Sequence, residues 1–453
     1  MNVFFFSILV LFSCSVLSQV KNVTKLDNWD DNSLETTYDD ESVFNECWGF
    51  VEGGQEYAVI GSTAGTHFLK ITNTDKLKLV YFKKGKHFGP DIVHRDYHTH
   101  NGFLYEVADE GLSSLRIYDL QYLPDSARMI YDSDDLIIRS HNIFIDESSD
   151  LLYSCGSTSS LSIDALRVIS IADPYNPTFV YDYNYINYVH DIFVRNDTAY
   201  LNVPGDGLIV LDFSTPTMPL PLGDLPHYSD QGYTHSGWLT ADGNTYVLCD
   251  ENPSKRFKVC DVSELANIEE LAAVKPETYE NTLPHNVIIK DKLAYFSYYN
   301  DGLQIYDISK PSEPKRIAYY DTYDGSNDNL YRGAWGVYPL LPSGRILLAD
   351  RKNGLFLLRH TPPPNINPPN SEDHGIYPNP THGEVHFYYN QRLNFEYELI
   401  IFDDNGKKIE KYIGHDDFLK LDLSSYAQGE YYYRFYSKEN DKTLSGKFIK
   451  LND

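Results

Sequence analysis

The chain has 453 residues, 38 of them Lys or Arg and 65 Asp or Glu, for a formal net charge of −27. A field of that sign repels phosphate backbones and anionic headgroups, and no basic patch offsets it, which argues against nucleic acid and membrane-surface roles. With 42% hydrophobic and 23% charged residues the composition is that of a folded protein, and 38 Tyr against 3 Met suit pleated strands better than helix interiors, so an all-β fold is expected.

Residues 3–18, VFFFSILVLFSCSVLS, form an apolar run that ends in small residues and is short for a membrane span. It predicts a secretory signal peptide over 1–19, cleaved near Ser18 or Gln19 and leading through the periplasm. No later stretch reaches the roughly 20 apolar residues needed to cross a bilayer. Cys47, Cys155, Cys249 and Cys260 are far apart with no C-x-x-C pair, so buried free thiols are expected rather than a zinc site or disulfides.

Short strand openings recur as CWGFV from Cys47, RDYHT from Arg95, HNIFI from His141, HDIFV from His190, HSGWL from His235, HNVII from His285 and AWGVY from Ala334, 45 to 50 residues apart. Each is followed by a second apolar strand, such as AYLNVPG from Ala199. An acidic residue or Asn before Gly then marks a hairpin, as at Asp206-Gly207 and Asp301-Gly302, where Gly supplies positive φ. Third strands such as GLIVLDFS from Gly207 end in proline-punctuated turns, and a more polar fourth strand follows, as in KRIAYYD from Lys315. Four strands repeated seven times predict a seven-bladed β-propeller over 20–360. The last repeat lacks a fourth strand, and KLDNWD from Lys25 is expected to supply it from the N-terminus.

Thr361 to Ser371 contain five prolines, which predicts a semi-rigid linker over 361–375. From 376 to 453, alternating runs such as EVHFYYN and GEYYYRFYS predict a small Ig-like antiparallel β-sandwich.

YPNP from Tyr377, DDNGKKI from Asp403, LDLSSYAQGEYYYRFY from Leu421 and KFIKL from Lys447 resemble the C-terminal sorting domain of the type IX secretion system. That resemblance implies a partner, the outer-membrane export machinery, and delivery to the cell surface or the medium. GLIVLDFSTP from Gly207, GLQIYDISKP from Gly302, YTHSGWLT from Tyr233, LPHNVII from Leu283 and the segment Arg332 to Arg359 resemble the LVIVD-repeat, choice-of-anchor B family of exported proteins. This second resemblance implies the propeller and export but no activity.

In such a sheet the turn entering strand one and the hairpin between strands two and three share a face. The strand-one starts Arg95, His141, His190, His235 and His285 are therefore expected to ring the channel mouth. Facing them are the hairpin carboxylates Asp109, Glu110, Asp206, Asp250, Glu251, Asp301 and Asp350. Two readings of the histidines stand side by side. In one, each imidazole braces the next repeat through a hydrogen bond. In the other, His141, His190, His235 and His285 supply ligands to a divalent metal ion, zinc or manganese rather than calcium, with Asp191, Asn142 and Asn286 as adjacent supports.

His94, His98 and His100 alternate along one strand and form a further candidate cluster. Trp48 and Trp335 are expected to pack the ring seam, with a stacking platform for sugars as the alternative, and Asp212, Asp261 and Asp307 to cap turns. No G-x-S-x-G, H-E-x-x-H or G-x-x-x-x-G-K motif is present. These features point to an exported binding or interaction propeller whose ligand, a glycan, a protein or a metal, sits at the mouth. The alternative is an extracellular hydrolase or lyase working from the same rim, with or without a divalent ion.

Overall fold

The computed structural model describes residues 20–451 except 39–40, 161–162, 277, 279–280, 324, 326–330, 362–373, 378, 390–395, 415–417 and 438–441. The expected signal peptide and most of the expected linker lie outside the described residues. The chain divides into two compact units, Met1–Thr361 and Pro362–Asp453. Among the described residues, no helix is long and apolar enough to cross a membrane.

Strand chemistry sorts each sheet from inside to outside. Second strands such as Gln55–Ser62 and Thr198–Val203 are buried along nearly their whole length because both faces are covered. Outer strands such as Leu77–Lys84 and Lys315–Tyr320 carry lysine and are mostly exposed or half-buried. Gly207 and Gly302 make the intervening hairpins at φ 82° and 67°. A Cβ on either would lie 2.2 Å from a main-chain oxygen, of Leu225 or of Tyr320, so the turn excludes any side chain. Beyond the third strands, Asp212, Asp261 and Asp307 accept the N–H of Ser214 at 2.7 Å, Ser263 at 2.9 Å and Ser309 at 2.8 Å, the capping role expected of them.

Among the described residues the first unit holds seven antiparallel sheets, spanning 44–84, 95–133, 142–183, 191–225, 234–274, 286–320 and 334–360. The first strands of successive sheets touch in order, and Ala334–Tyr338 of the last touches Phe44–Glu52 of the first, which closes a circle. Each gap between sheets has its own apolar core. Tyr153, Val168 and Phe213 fill the one between the third and fourth sheets, and Leu69, Leu347 and Leu357 the one between the last and first.

The N-terminal segment Val23–Trp29 pairs antiparallel with Gly354–His360, with Val23 opposite His360 and Trp29 opposite Leu355, and so completes the seventh sheet. Val20–Lys21 also adds a fifth strand to the sixth sheet, opposite Tyr320 and Tyr319. Asn22 turns the corner between them at φ 54° and donates its side-chain amide to Ile317 O at 2.8 Å. Across the seam to the first sheet, Asp27 accepts Leu77 N at 2.8 Å, and Arg345 reaches Glu56 at 2.9 Å and Asp75 at 2.8 Å. The four described cysteines are free and buried, and Cys260 lies opposite Tyr246 rather than Cys249.

In the second unit, His374–Tyr377, Glu384–Tyr389 and Phe418–Asp422 form one sheet. Lys408–Gly414, Tyr397–Phe402, Gly429–Ser437 and Lys442–Lys450 form the other. Phe387 and Leu421 from the first pack with Leu399, Tyr433 and Phe435 from the second in a single core, the construction of a sandwich.

Candidate functional site

The innermost strands enter the channel through β-bulges. His141 N donates to Cys155 O at 3.2 Å while Asn142 is the residue paired with Cys155. The same doubling sets His190 and Asp191 against Asn202, and His285 and Asn286 against Ser297. The register also shifts at His235 and at Trp335. Two residues opposite one partner break the usual alternation, so the histidine and the residue after it both line the channel.

Three tiers result. At the mouth, six rings close a circle with centroid separations of 4.8 Å for His94–His141, 4.3 Å for His141–His190, 4.0 Å for His190–His235, 4.5 Å for His235–His285, 4.2 Å for His285–Trp335 and 5.1 Å for Trp335–His94. Beneath them Glu46, Asp96, Asn142, Asp191 and Asn286 line a chamber of about 20 Å³. Gly336 holds the corresponding place in the last repeat, and Glu46 occupies the space its side chain would need: a Cβ there would lie 1.8 Å from Glu46 Oε1. Deeper still, Trp48 meets His98 at 4.6 Å, His98 meets Phe144 at 5.0 Å, and Phe193 meets Trp238 at 4.9 Å, which makes an aromatic floor.

The mouth imidazoles are oriented by their Nδ1 atoms. His94 donates to Glu110 at 2.7 Å and His141 to Asp109 at 2.8 Å. His190 bonds His235 O at 3.1 Å and His285 bonds Trp335 O at 2.6 Å. A carbonyl can only accept, so the proton of His190 and of His285 sits on Nδ1, and Nε2 keeps its lone pair. Above the ring, a recess of about 210 Å³ is lined by these histidines together with Tyr233, Glu251, Asn252, Tyr331 and Trp335.

Burial, with the neighbouring imidazoles, holds the pKa of His190, His235 and His285 well below the ordinary value. Burial also opposes charge on His141, but the Asp109 hydrogen bond and the charges of Asp109, Glu251 and Asp96 raise it overall. Glu251 is pushed up to about 7 by burial, against the Tyr299 hydroxyl that donates to it. In the middle tier burial lifts Asp96 to about 7, and burial with the charge of Asp96 lifts Asp191 to about 8.

The four expected rim histidines, His141, His190, His235 and His285, stand together at the mouth. Arg95 does not face it: its guanidinium is buried against Glu106 at 3.2 Å and Ser62 O at 3.0 Å, and His94 takes the place in the ring. Asp250 is sealed against Lys258 at 2.7 Å, and the next residue, Glu251, reaches the recess instead. Asp301 accepts the Thr282 hydroxyl, and Asp350 accepts the Thr322 hydroxyl at 2.7 Å and the N–H of Asn353 at 2.8 Å. Asp206 is exposed in its hairpin, with its N–H bonded to Val203 O at 3.1 Å.

The cluster expected of His94, His98 and His100 is dispersed. His98 packs in the aromatic floor and His100 bonds Asp150 at 2.6 Å. Trp335 belongs to the mouth ring, and Trp48 to the floor. Trp335, expected at the seam, reaches the mouth because the register shifts between Ala334 and Gly336.

The sequence matches the family model for the secretion system C-terminal sorting domain over residues 375–450, and the model for the LVIVD repeat over 187–223 and 285–322, the fourth and sixth sheets. No curated protein matches it. Among solved structures the chain is similar to PorZ, described as an essential bacterial surface component of the type-IX secretion system of Porphyromonas gingivalis. The likeness has 12% identity and a TM-score of 0.38 over 87% of this chain and 64% of PorZ, so this chain spans less than two thirds of that protein. It is similar to the computationally designed Ika8 protein at 9% identity and a TM-score of 0.46, over 72% of this chain and 98% of that one. The WD40 repeats of RRP9 match at 9% identity and a TM-score of 0.50, over 76% of this chain and 99% of theirs, a likeness of fold alone. The chain thus folds as a β-propeller that carries LVIVD repeats in its fourth and sixth sheets, with a C-terminal type IX sorting domain that directs it to the cell surface or the extracellular space.

Proposed function

We propose that the propeller is an extracellular binding module whose ligand seats a small terminal group in the recess over the histidine ring. The observation that carries this reading is the ring itself. Five imidazoles and one indole, contributed by six different sheets, converge under one opening, with Glu251 and Asn252 beside them. Bracing accounts for the Nδ1 atoms of His190 and His285 but leaves their Nε2 lone pairs without a structural task.

At about 210 Å³ the recess is smaller than the roughly 300–1,000 Å³ that encloses a whole drug-sized ligand, so it suits the end of a larger molecule. The net charge of −27 favours a neutral or cationic partner. The sorting domain adds the type IX export machinery as the partner in delivery.

The test is retention on immobilised glycan and peptide panels. The wild-type protein is expected to retain at least one class, and a His190→Ala, His285→Ala double variant to lose it while still melting cooperatively. Equal retention by the two proteins would end the proposal. Turnover of a panel member that disappears with a chelator would instead support the hydrolase or lyase reading.

A further inference from the structure

Within the mouth, two groups of three side chains bring ligand atoms to within 4.8 Å of one another: His94, Asp109 and His141, and His190, His235 and Glu251. The first is already satisfied, because Asp109 Oδ2 takes the His141 Nδ1 proton at 2.8 Å and Glu110 takes that of His94 at 2.7 Å. The second is not. Glu251 Oε2 stops 3.6 Å from His235 Nε2 and its Oε1 stops 4.0 Å from His285 Nε2. Both separations are too long for a hydrogen bond. Two ligands about 2.0–2.2 Å from a shared tetrahedral ion stand roughly 3.3–3.6 Å apart, which the first of these distances matches. His235 is buried, only 3% exposed.

We propose that His190 Nε2, His235 Nε2 and the Glu251 carboxylate hold one zinc-class divalent ion, with its fourth position open to the recess. The inference rests on the reading of the mouth as a binding site and names what the site contains. Two neutral imidazoles and one carboxylate form a borderline nitrogen and oxygen set, suited to zinc and short of the six to eight oxygens that calcium takes. His190 has the support a metal-bound histidine needs: its Nδ1 proton is fixed on His235 O at 3.1 Å, which aims Nε2. Tyr299 donates to Glu251 and holds the carboxylate in the same way. The open position faces Tyr233, Asn252 and Tyr331, where a ligand's terminal oxygen or nitrogen would complete the shell.

The exported chain, stripped with a chelator, is titrated with Zn²⁺ by calorimetry and with Co²⁺ by visible absorption. One equivalent with an intense tetrahedral Co²⁺ spectrum is expected. Glu251→Gln, which keeps the side-chain shape, should weaken binding at least tenfold, and His100→Ala, at the histidine paired with Asp150, should leave it unchanged. If Glu251→Gln fails to fold, His235→Ala serves, with the wild-type Co²⁺ spectrum as the independent readout. Binding no tighter than in a His190→Ala, His235→Ala double variant, or a Co²⁺ spectrum that is octahedral, would overturn the proposal. Ligand retention by metal-free protein that depends on His190 and His285 would overturn the ion alone and keep the binding reading. An ion bound by a protein that retains no panel member would support the ion and count against that reading.

Discussion

His285 donates its Nδ1 proton to the main-chain oxygen of Trp335 at 2.6 Å, and the two rings lie 4.2 Å apart. A residue that lines the mouth therefore also ties the sixth sheet to the seventh. Ser297 donates its hydroxyl to the same oxygen, so that acceptor keeps a partner when the imidazole is removed. His285→Ala should accordingly cost about 1–3 kcal/mol, the range for one buried hydrogen bond plus an aromatic contact, without abolishing the fold. Urea denaturation checks this; a midpoint equal to that of the wild type would mean that the bracing contributes nothing.

The repeat, the strand order and the closure by Lys25 to Asp30 were legible because they rest on period-two burial and on Gly turns, which are local. The site was legible only in part, because it depends on register. Bulges double His141, His190 and His285 with their successors, and nothing in a period-two pattern announces an extra residue. In the second sheet Arg95 pairs with Ala108 in unbroken register, so ordinary alternation gives the channel His94 and Asp96 and turns Arg95 away, and of the expected carboxylates Asp250 and Glu251 only Glu251 reaches the recess. Asp250 turns inward to a lysine on the next strand of its own sheet, a pairing visible only once Lys258 is placed. Val20–Lys21 is too short to carry any pattern.

Closure should depend on the N-terminal strand. Val23 is buried among Ile305 and Leu358, and Trp29 packs on Phe44 and His67 at 5.9 and 4.9 Å. Deleting residues 20–29 would strip both contacts and leave the edge of Gly354–His360 unpaired, a template for association between chains. The expected outcome is a loss of several kcal/mol together with concentration-dependent aggregation in light scattering. A monomeric protein with an unchanged melting temperature would show that the seam does not need this strand.

Lys258 and Asp250 form an ion pair at 2.7 Å with both side chains 0% exposed, and Tyr228 donates to the same carboxylate at 2.7 Å. Lys258→Met would leave a buried carboxylate without its counter-charge, at a cost of about 3–5 kcal/mol. Adding Asp250→Asn should recover much of that loss, since no charge then remains in the gap. Thermal or urea melts of the two single variants and the double variant give the coupling directly, and strictly additive losses would refute the pairing.

Asp301 offers a test by pH that is independent of the mouth. Burial lifts its carboxyl from 3.8 to about 7, helped by the charge of Asp321 and opposed by the Thr282 hydroxyl. The unfolded chain ionises this group near pH 4 while the folded protein holds the proton to about pH 7, so across that window the native state binds more protons and stability falls as pH rises. The contribution is flat below the window, where both states are protonated, and flat above it, where both are ionised. At about 1.4 kcal/mol per pKa unit the decline attributable to Asp301 is roughly 4 kcal/mol. Asp301→Asn keeps an oxygen to accept the Thr282 hydroxyl and has no proton to lose. The variant should therefore show a shallower fall in stability between pH 4 and 7 and should exceed the wild type at pH 8. Parallel pH profiles for the two proteins would mean that the carboxyl is ionised in the fold at ordinary pH and that its burial is compensated.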